Sequence, residues 1–217
     1  MIQVSGLSKK FDSRDLFHQF DLSIQPGSFN VITGPSGSGK STLLSLLGLL
    51  SLVDEGVIEL EGLGEVKPFS RQGRLARRNI IGFLHQNYAL IDHDTVYQNL
   101  EMVLTGSRTK KRIKAAEALQ RVGLEGYEDK RVYECSGGEQ QRIAIARLLC
   151  KPCQLILADE PTGNLDEENK QNVLDLLKDL HQQGKTLIVA THDPSVIRIG
   201  QRTINLSSRV NTTSTET

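Results

Sequence analysis

The chain has 217 residues, and its 26 Lys and Arg balance its 26 Asp and Glu, so the formal net charge is zero. That length is ample for a buried core. Neutrality, few aromatic residues and no Trp argue against a global basic field or base-stacking platforms, so no nucleic-acid partner is expected. No apolar run approaches the ~20 residues of a membrane span; the most apolar stretch, Leu43 to Leu50, is far too short. Met1-Ile2-Gln3-Val4 starts directly as a strand with no signal peptide, and the expectation is a cytosolic chain. Three cysteines, an odd count, do not make a disulfide framework.

In chain order, Ile2 to Leu7 and Leu16 to Ile24 read as strands, with Phe20, Leu22 and Ile24 alternating as in a half-buried sheet. Phe11 is read into the loop between them, where it would stack on an adenine ring or pack on the sheet. Phe29 to Thr33 is a further strand. It runs into Gly34-Pro35-Ser36-Gly37-Ser38-Gly39-Lys40-Ser41-Thr42, which fits the P-loop pattern G-x-x-x-x-G-K-[ST]. The glycines let backbone N–H groups turn inward around phosphate oxygens. Lys40 is placed to reach the β- and γ-phosphates, and Ser41 to put its hydroxyl on Mg²⁺. The helix that follows adds its positive end; Leu43, Leu44, Leu46, Leu47, Leu49 and Leu50 make it apolar nearly all round and so buried.

Asp54-Glu55-Gly56 is a turn before a short strand, Val57 to Leu60. Arg71, Arg74, Arg77 and Arg78 form a basic cluster, either a solvated face or a phosphate- or membrane-contacting one. Asn79 to Leu84 is an apolar strand that ends at His85-Gln86, where a polar side chain meets the ligand crevice of an α/β sheet. The loop Asn87 to Asp94 carries Tyr88, Leu90 and Ile91, for a partner or for local packing; Asp92-His93-Asp94 reads as an acidic loop tip rather than a metal cluster. Asp94 or Thr95 caps a helix with Val96, Leu100, Val103 and Leu104 on one face. Lys110-Lys111-Arg112 opens the next helix, with Ile113, Ala116 and Leu119 inward and Gly123 as its stop.

Ser136 and Glu139 form a capping box that starts another helix, and Gly137 and Gly138 leave its first-turn N–H groups uncovered, making a second phosphate-ready helix end. Cys150-Lys151-Pro152-Cys153 is either a redox or metal pair or simply a helix end and Pro turn. Leu155 to Asp159 is a buried strand delivering a carboxylate, the Walker B pattern that holds Mg²⁺, and Glu160 follows where it can polarise an attacking water. A helix bearing Val173, Leu176, Leu177 and Leu180 stops at Gly184. Thr186 to Ala190 is a strand ending at Thr191-His192-Asp193, with His192 set to contact the γ-phosphate. Arg202 to Leu206 is the last strand, and residues 207–217 read as a polar, disordered tail.

These motifs in this order resemble the ATP-binding subunit of ABC transporters, over about Ile2 to Leu206. Ser136-Gly137-Gly138-Glu139-Gln140-Gln141-Arg142 is the most specific element. The resemblance implies an α/β fold: a P-loop NTPase (RecA-like) core with an N-terminal antiparallel β subdomain and a helical subdomain inserted at about 87–150. That makes a single domain of residues 1–206. It makes Phe11 the adenine-stacking aromatic, Gln86 the Q-loop glutamine and a metal contact beside Ser41 and Asp159, and Ser136, Gly137 and Gly138 the signature motif. Glu160 becomes the catalytic base, Asp166 the end of the D-loop and His192 the switch histidine, with Lys40 assisting. ATP and Mg²⁺ are the implied ligands. The implied partners are a second ATP-binding subunit paired head to tail, each ATP lying between one P-loop and the other subunit's signature helix, and a transmembrane permease that holds the chain on the inner face of the membrane. The family usually has Leu where Cys135 stands and an aromatic where His85 stands. The segment Gln86 to Asp92 and Gly163-Asn164-Leu165-Asp166 are similar to the macrolide-exporter and lipoprotein-release group, the former most of all to lactococcin-type bacteriocin exporters. A non-transport ABC ATPase is the alternative; such proteins carry long coiled-coil insertions or tandem ABC domains, and neither is in this sequence.

Overall fold

The computed structural model describes residues 1–11, 14–163 and 165–207, without the side chains of Phe11 and Arg14. β1 (Ile2–Phe11) and β2 (Arg14–Ile24) pair antiparallel, with Ile2 opposite Ile24 and Val4 opposite Leu22. Phe11 therefore ends a strand, opposite Arg14, instead of lying in a loop, because the hairpin ladder continues through Lys10 and Asp15. Its expected adenine contact falls on a side chain outside the described ones, and the expected tail lies beyond the described residues from 208 onward.

β3 (Phe29–Thr33) leads into α1 (Lys40–Leu47), whose Leu43, Leu44, Leu46 and Leu47 are buried, as is Leu49. Leu50 is not buried: the helix stops at Leu47, and a left-handed Leu49 (φ 56°) turns the next residue outward. β4 (Glu55–Leu60) pairs with β1, and the two-residue β5 (Gly64–Glu65) completes an antiparallel sheet of order β2-β1-β4-β5. The arginine cluster lies on α2 (Arg71–Asn79), a helix the sequence reading did not recognise; Ser70 caps it by accepting Gly73 N–H.

β6 (Ile81–Leu84) precedes a helical segment. α3 (Val96–Glu101) opens on a capping box of Thr95 and Gln98 and ends at Glu101, so Val103 and Leu104 lie past it. α4 (Arg108–Arg121) starts after its cap Ser107 and buries Ala115, Ala118 and Leu119, not Ile113 or Ala116. Its inner stripe is built of small residues that permit close approach to α5 (Gly137–Leu149), so the bulkier Ile113 is left outside.

β7 (Leu155–Asp159), α6 (Glu167–Gln182), β8 (Thr186–Ala190), α7 (Pro194–Ile199) and β9 (Arg202–Asn205) finish the chain. α7, too short for a periodic signal, starts at Pro194 with Asp193 as its cap. The second sheet has order β6-β7-β8-β3-β9, all parallel. Its strands are apolar on both faces, as a doubly covered parallel sheet requires. Leu155, Leu157, Ile188, Ala190 and Ile32 face α1 and the antiparallel sheet, whereas Ile156, Ala158, Leu187, Val189 and Val31 face α3 to α7.

One contact fixes the helical segment to this sheet, and another fixes the loop that leads into it. Gly82 of β6 sits so close to the end of α5 that a Cβ there would fall 2.3 Å from Leu148 Cδ1 and 2.8 Å from Cys153 Sγ. Cys150 and Cys153 are both unbridged, burial pushes the Cys150 thiol up to about 12, and no cluster of three or more His, Cys, Asp or Glu that could hold a metal ion occurs among the described residues. Within this C-x-x-C, Cys153 packs under β6.

The second contact is Asn99, fully buried on α3. Its amide accepts Ile91 N–H (2.8 Å) and donates to Ile91 O and Thr95 O (both 3.1 Å), holding the loop before α3 in place. Replacing it with Leu leaves Ile91 N–H without its partner, while Ile91 O and Thr95 O keep the N–H groups of Asp94 and Asn99, and removes the tie between the loop and α3. Asn99→Leu is expected to cost about 3 kcal/mol, read as a lowered urea midpoint, with faster amide exchange at Ile91 in the same variant.

Candidate active site

Parallel pairing puts Ile32 and Asp159 both opposite Ala190, and Leu84 opposite Ala158, so the strands end in one row. The segments leaving that row carry most of the residues singled out above. Gly39 caps α1 from a left-handed conformation (φ 93°) with no side-chain bond, and a Cβ on it would meet Phe17 at 2.9 Å. The first-turn N–H groups of α1 thus remain for an anion. Lys40 Nζ folds over the loop to Gly34 O (2.9 Å) and Pro35 O (3.3 Å). Pro35, Ser36 and Gly37 are exposed, Thr42 is half-buried, and the buried Ser38 hydroxyl has no partner.

Asp159 ends β7 with Ser41 hydrogen-bonded to its carboxylate. Burial raises its pKa, and neighbouring Glu160 adds to that, while Ser41 and Lys40 pull it down. Asp159 Oδ1 is buried without a hydrogen-bond partner. A hydroxyl beside an orphaned carboxylate oxygen supplies oxygen donors suited to a hard divalent cation, so Ser41 and Asp159 fit Mg²⁺.

Glu160 takes a positive φ of 46°, rare for a residue with a side chain. Its N–H bonds Ala190 O at 2.8 Å, which extends the ladder by one residue while the chain turns. The side chain is held at both oxygens: Thr191 Oγ1 donates to Oε2 (3.0 Å) and His192 Nδ1 lies 3.0 Å from Oε1. Thr191, fully buried, also accepts Asp193 N–H (3.0 Å). Asp193 binds Thr162 Oγ1 (2.8 Å) and Lys170 Nζ (3.1 Å), tying the segment after Glu160 to the segment after β8. Sequence reasoning passed over Thr191; the only signal was its position between a strand end and His192.

Gln86 is exposed just past β6 and makes no hydrogen bond among the described residues. His85, where the family has an aromatic, stacks on Phe83 (centroids 4.1 Å apart, planes at 21°) and so fills an aromatic's place. Burial, then Arg147, depress its pKa, with Asp159 opposing them. In the loop beyond, Tyr88 and Leu90 pack on the core and Ile91 is exposed. Arg147 of α5 donates to Ala89 O (2.6 Å) and Tyr88 O (2.8 Å).

The signature segment lies apart from the P-loop, and its bonds go elsewhere. Ser136 caps α5, accepting Glu139 N–H (3.3 Å) while Glu139 accepts Ser136 N–H (2.6 Å) and the Tyr127 hydroxyl (2.6 Å). A Cβ on Gly137 would meet nothing, whereas one on Gly138 would come within 3.0 Å of Asn169. Asn169, which sequence reasoning missed, also binds both carboxylate oxygens of Asp166 (2.9 and 2.8 Å) and Arg142. Asp166 is thereby occupied as the cap of α6, accepting Asn169 N–H at 2.8 Å. Cys135 fills a buried apolar position, as the family's Leu would.

The sequence profile of the ABC transporter family matches residues 17–163. The chain belongs to the ABC transporter family. It is an ATP-binding, ATP-hydrolysing subunit of that family. It is 38% identical over 213 residues to the uncharacterised ABC transporter ATP-binding protein YvrO of Bacillus subtilis, covering 94% of this chain and 92% of YvrO. It is also 38% identical to the macrolide export ATP-binding/permease protein MacB of Hahella chejuensis, over 95% of this chain but only 33% of MacB, so it spans about a third of that relative. Among solved structures it resembles the ATP-binding cassette MJ0796, dimeric and bound to ADP and Pi in a post-hydrolysis state. That match has a TM-score of 0.87 at 35% identity and covers 95% of this chain and 94% of the other. Among the described residues, no helix is long and apolar enough to cross a membrane.

Hydrogen bonds from Tyr127 and from Ser136 N–H hold the Glu139 carboxyl down to about 2, against an ordinary 4.5. A depressed carboxylate pKa contributes stability that is present above the unfolded value and lost as pH falls through the folded one. Glu139→Gln is therefore expected to lower the urea midpoint at neutral pH. The gap to the parent should narrow steadily below pH 4.5, and a gap that is independent of pH would refute the assignment.

Proposed function

We propose that this chain drives export through a separate permease, working as one of two ATP-binding subunits paired head to tail on the inner face of the membrane. The observation that carries the pairing is the presence of two phosphate-ready helix ends in one chain. α1 begins uncapped at Gly39, and α5 begins at Ser136 beside an open Gly137, with Glu139 and Asn169 rather than P-loop residues around it. One ATP does not need both from the same subunit. The dimeric state named for MJ0796 supports this reading.

In the proposed cycle the phosphates lie in the cradle of Gly34, Pro35, Ser36, Gly37, Ser38, Gly39, Lys40, Ser41 and Thr42, with Phe11 against the adenine. Ser41, Asp159 and Gln86 would hold Mg²⁺, which supplies neutralising charge on the β- and γ-phosphate oxygens. Ser136, Gly137 and Gly138 of the partner subunit close the far side, and Asp166 keeps the neighbouring helix start in place. Glu160 orients a water for in-line attack and accepts its proton; ADP leaves with the β–γ bridging oxygen, and the γ-phosphoryl group becomes inorganic phosphate. His192 and Lys40 stabilise charge on the transferred group. In the structure Thr191 and His192 each hold one Glu160 oxygen, so the base is oriented before any water arrives. The loop from Gln86 to Ile91, tied to α5 through Arg147, would pass closure to the permease.

Names of relatives support export as the direction, and the segment from Gln86 to Asp92 supports a peptide or hydrophobic substrate of the bacteriocin-exporter kind. Glu160→Gln is expected to bind ATP yet stall as a closed dimer, seen as an ATP-dependent shift in size-exclusion chromatography with turnover down at least ~100-fold; parent-like turnover sinks the role given to Glu160. For the shared site, Lys40→Met and Ser136→Arg chains should each be inactive alone. Mixed together they should recover part of the ATPase activity, since one of the two sites in the mixed pair is intact. Co-purification of this chain with a multi-span membrane protein, and ATPase stimulation by it, tests the transport assignment.

A further inference from the structure

The exposed face of α2 has no role in the nucleotide site. From Val66 to Ile91 the sequence holds no Asp or Glu, while Lys67, Arg71, Arg74, Arg77 and Arg78 place five cations there, in a chain of zero net charge. α2 buries only Gly73 and Ala76. At about 100° per residue, Arg71, Arg74, Leu75 and Arg78 share an arc of about 100° on the other side. Arg71 and Arg78 make no hydrogen bond or ion pair among the described residues.

Arg77 shapes the edge of this face from below. Its Nη1 donates to Leu49 O (2.7 Å) and to Pro68 O, so two separate backbone segments converge on one guanidinium. The residues next to those carbonyls, Leu50 and Phe69, are 41% and 66% exposed, and Leu75 on α2 is 46% exposed. Arg74 Nη1 donates to Phe69 O (3.0 Å), so a band of exposed apolar side chains lies beside a row of arginines in which the side chains of Arg71 and Arg78 have no partner among the described residues.

We propose that this band is a contact surface for an anionic phospholipid bilayer. Guanidinium groups pair bidentately with phosphate oxygens, and apolar side chains beside them gain by entering the acyl boundary. A soluble polyanion answers the arginines but offers nothing to Leu50, Phe69 and Leu75; a bilayer answers both. Leu50 and Arg77 also line a groove of about 310 Å³ beside Ala89. A lipid contact here would set the subunit against the membrane next to the loop assigned to the permease. Only that orientation rests on the permease reading, and the test uses this chain alone, so the two can fail separately.

The full chain is mixed with phosphatidylglycerol–phosphatidylcholine vesicles or with pure phosphatidylcholine vesicles and sedimented. Binding is expected to the anionic vesicles only and to weaken with salt. At about fivefold per arginine near an anionic surface, Arg71→Gln/Arg74→Gln/Arg78→Gln should weaken it roughly 100-fold. Phe69→Ser/Leu75→Ser should also weaken vesicle binding, while leaving binding to soluble polyglutamate unchanged. All these residues lie outside the proposed catalytic machinery, so ATP turnover in both variants should stay at the parent level, which controls for folding. The proposal is overturned by equal binding to neutral and anionic vesicles, by vesicle binding that the arginine variant retains, or by a serine variant that binds vesicles like the parent. The last result would assign the face to an acidic protein segment instead.

Discussion

The register of the parallel sheet governs the candidate site. Because Ile32 and Asp159 both stand opposite Ala190, the chain leaves β3, β7 and β8 at one level, and three chemically different segments start side by side. A slip of one residue would turn Asp159 toward the opposite face and put Ala158 in its place at the edge. The register is secured by burial on both faces: the apolar residues of the strands alternate between two cores, one on each side of the sheet. Glu160 exploits that fixed edge. Its N–H takes the Ala190 carbonyl while its φ of 46° turns the chain away, a conformation that costs about 1–3 kcal/mol and aims the carboxylate back at Thr191 and His192.

What was legible in the sequence is what is chemically contiguous. Residues 34–42, the run from Leu155 to Glu160 and the Ser136 capping box each carry their own evidence, because the strand or helix that presents them is adjacent in the chain. Strands β3, β7 and β8 were readable for the same reason: both faces are apolar and turn residues bound them. α2 and α7 escaped notice because six to nine residues hold too little periodicity, and α2 buries only Gly73 and Ala76, which no hydrophobic pattern marks. The inner face of α4 was misread since its alanines are a weaker signal than Ile113. Asn99, Asn169 and Thr191 bond across gaps that the sequence does not show, with partners on other elements or loops.

Polar side chains at the nucleotide edge are arranged in linked pairs. Asp193 joins Thr162 to Lys170 and, through its N–H, orients the Thr191 hydroxyl that points at Glu160. Asn169 joins Asp166 to Arg142 next to Gly138. In each case a side chain from α6 or its flanking loop reaches a segment that sequence reasoning treated as independent. The segments after β7 and β8 are therefore one bonded unit, and the α5 start is in contact with the α6 start. Removal of either clamp would loosen the placement of a reacting group without touching that group.

The close approach at Gly82 has a mechanical corollary. α5 has 13 residues and so is about 20 Å long; Leu148 and, just beyond the helix, Cys153 press on β6 at its far end, and at the Ser136 end Arg142 and Asn169 tie it to the start of α6. Tilting a rod of that length by about 10° about its β6 end would sweep the other end through about 3 Å, roughly the length of one hydrogen bond, so the contacts with α6 would have to move with it. The pivot lies three residues before His85, which directly follows the strand, so the fulcrum of the arm and the edge of the nucleotide site are one short piece of backbone. A glycine there sets how finely the reach of Ser136 can be adjusted.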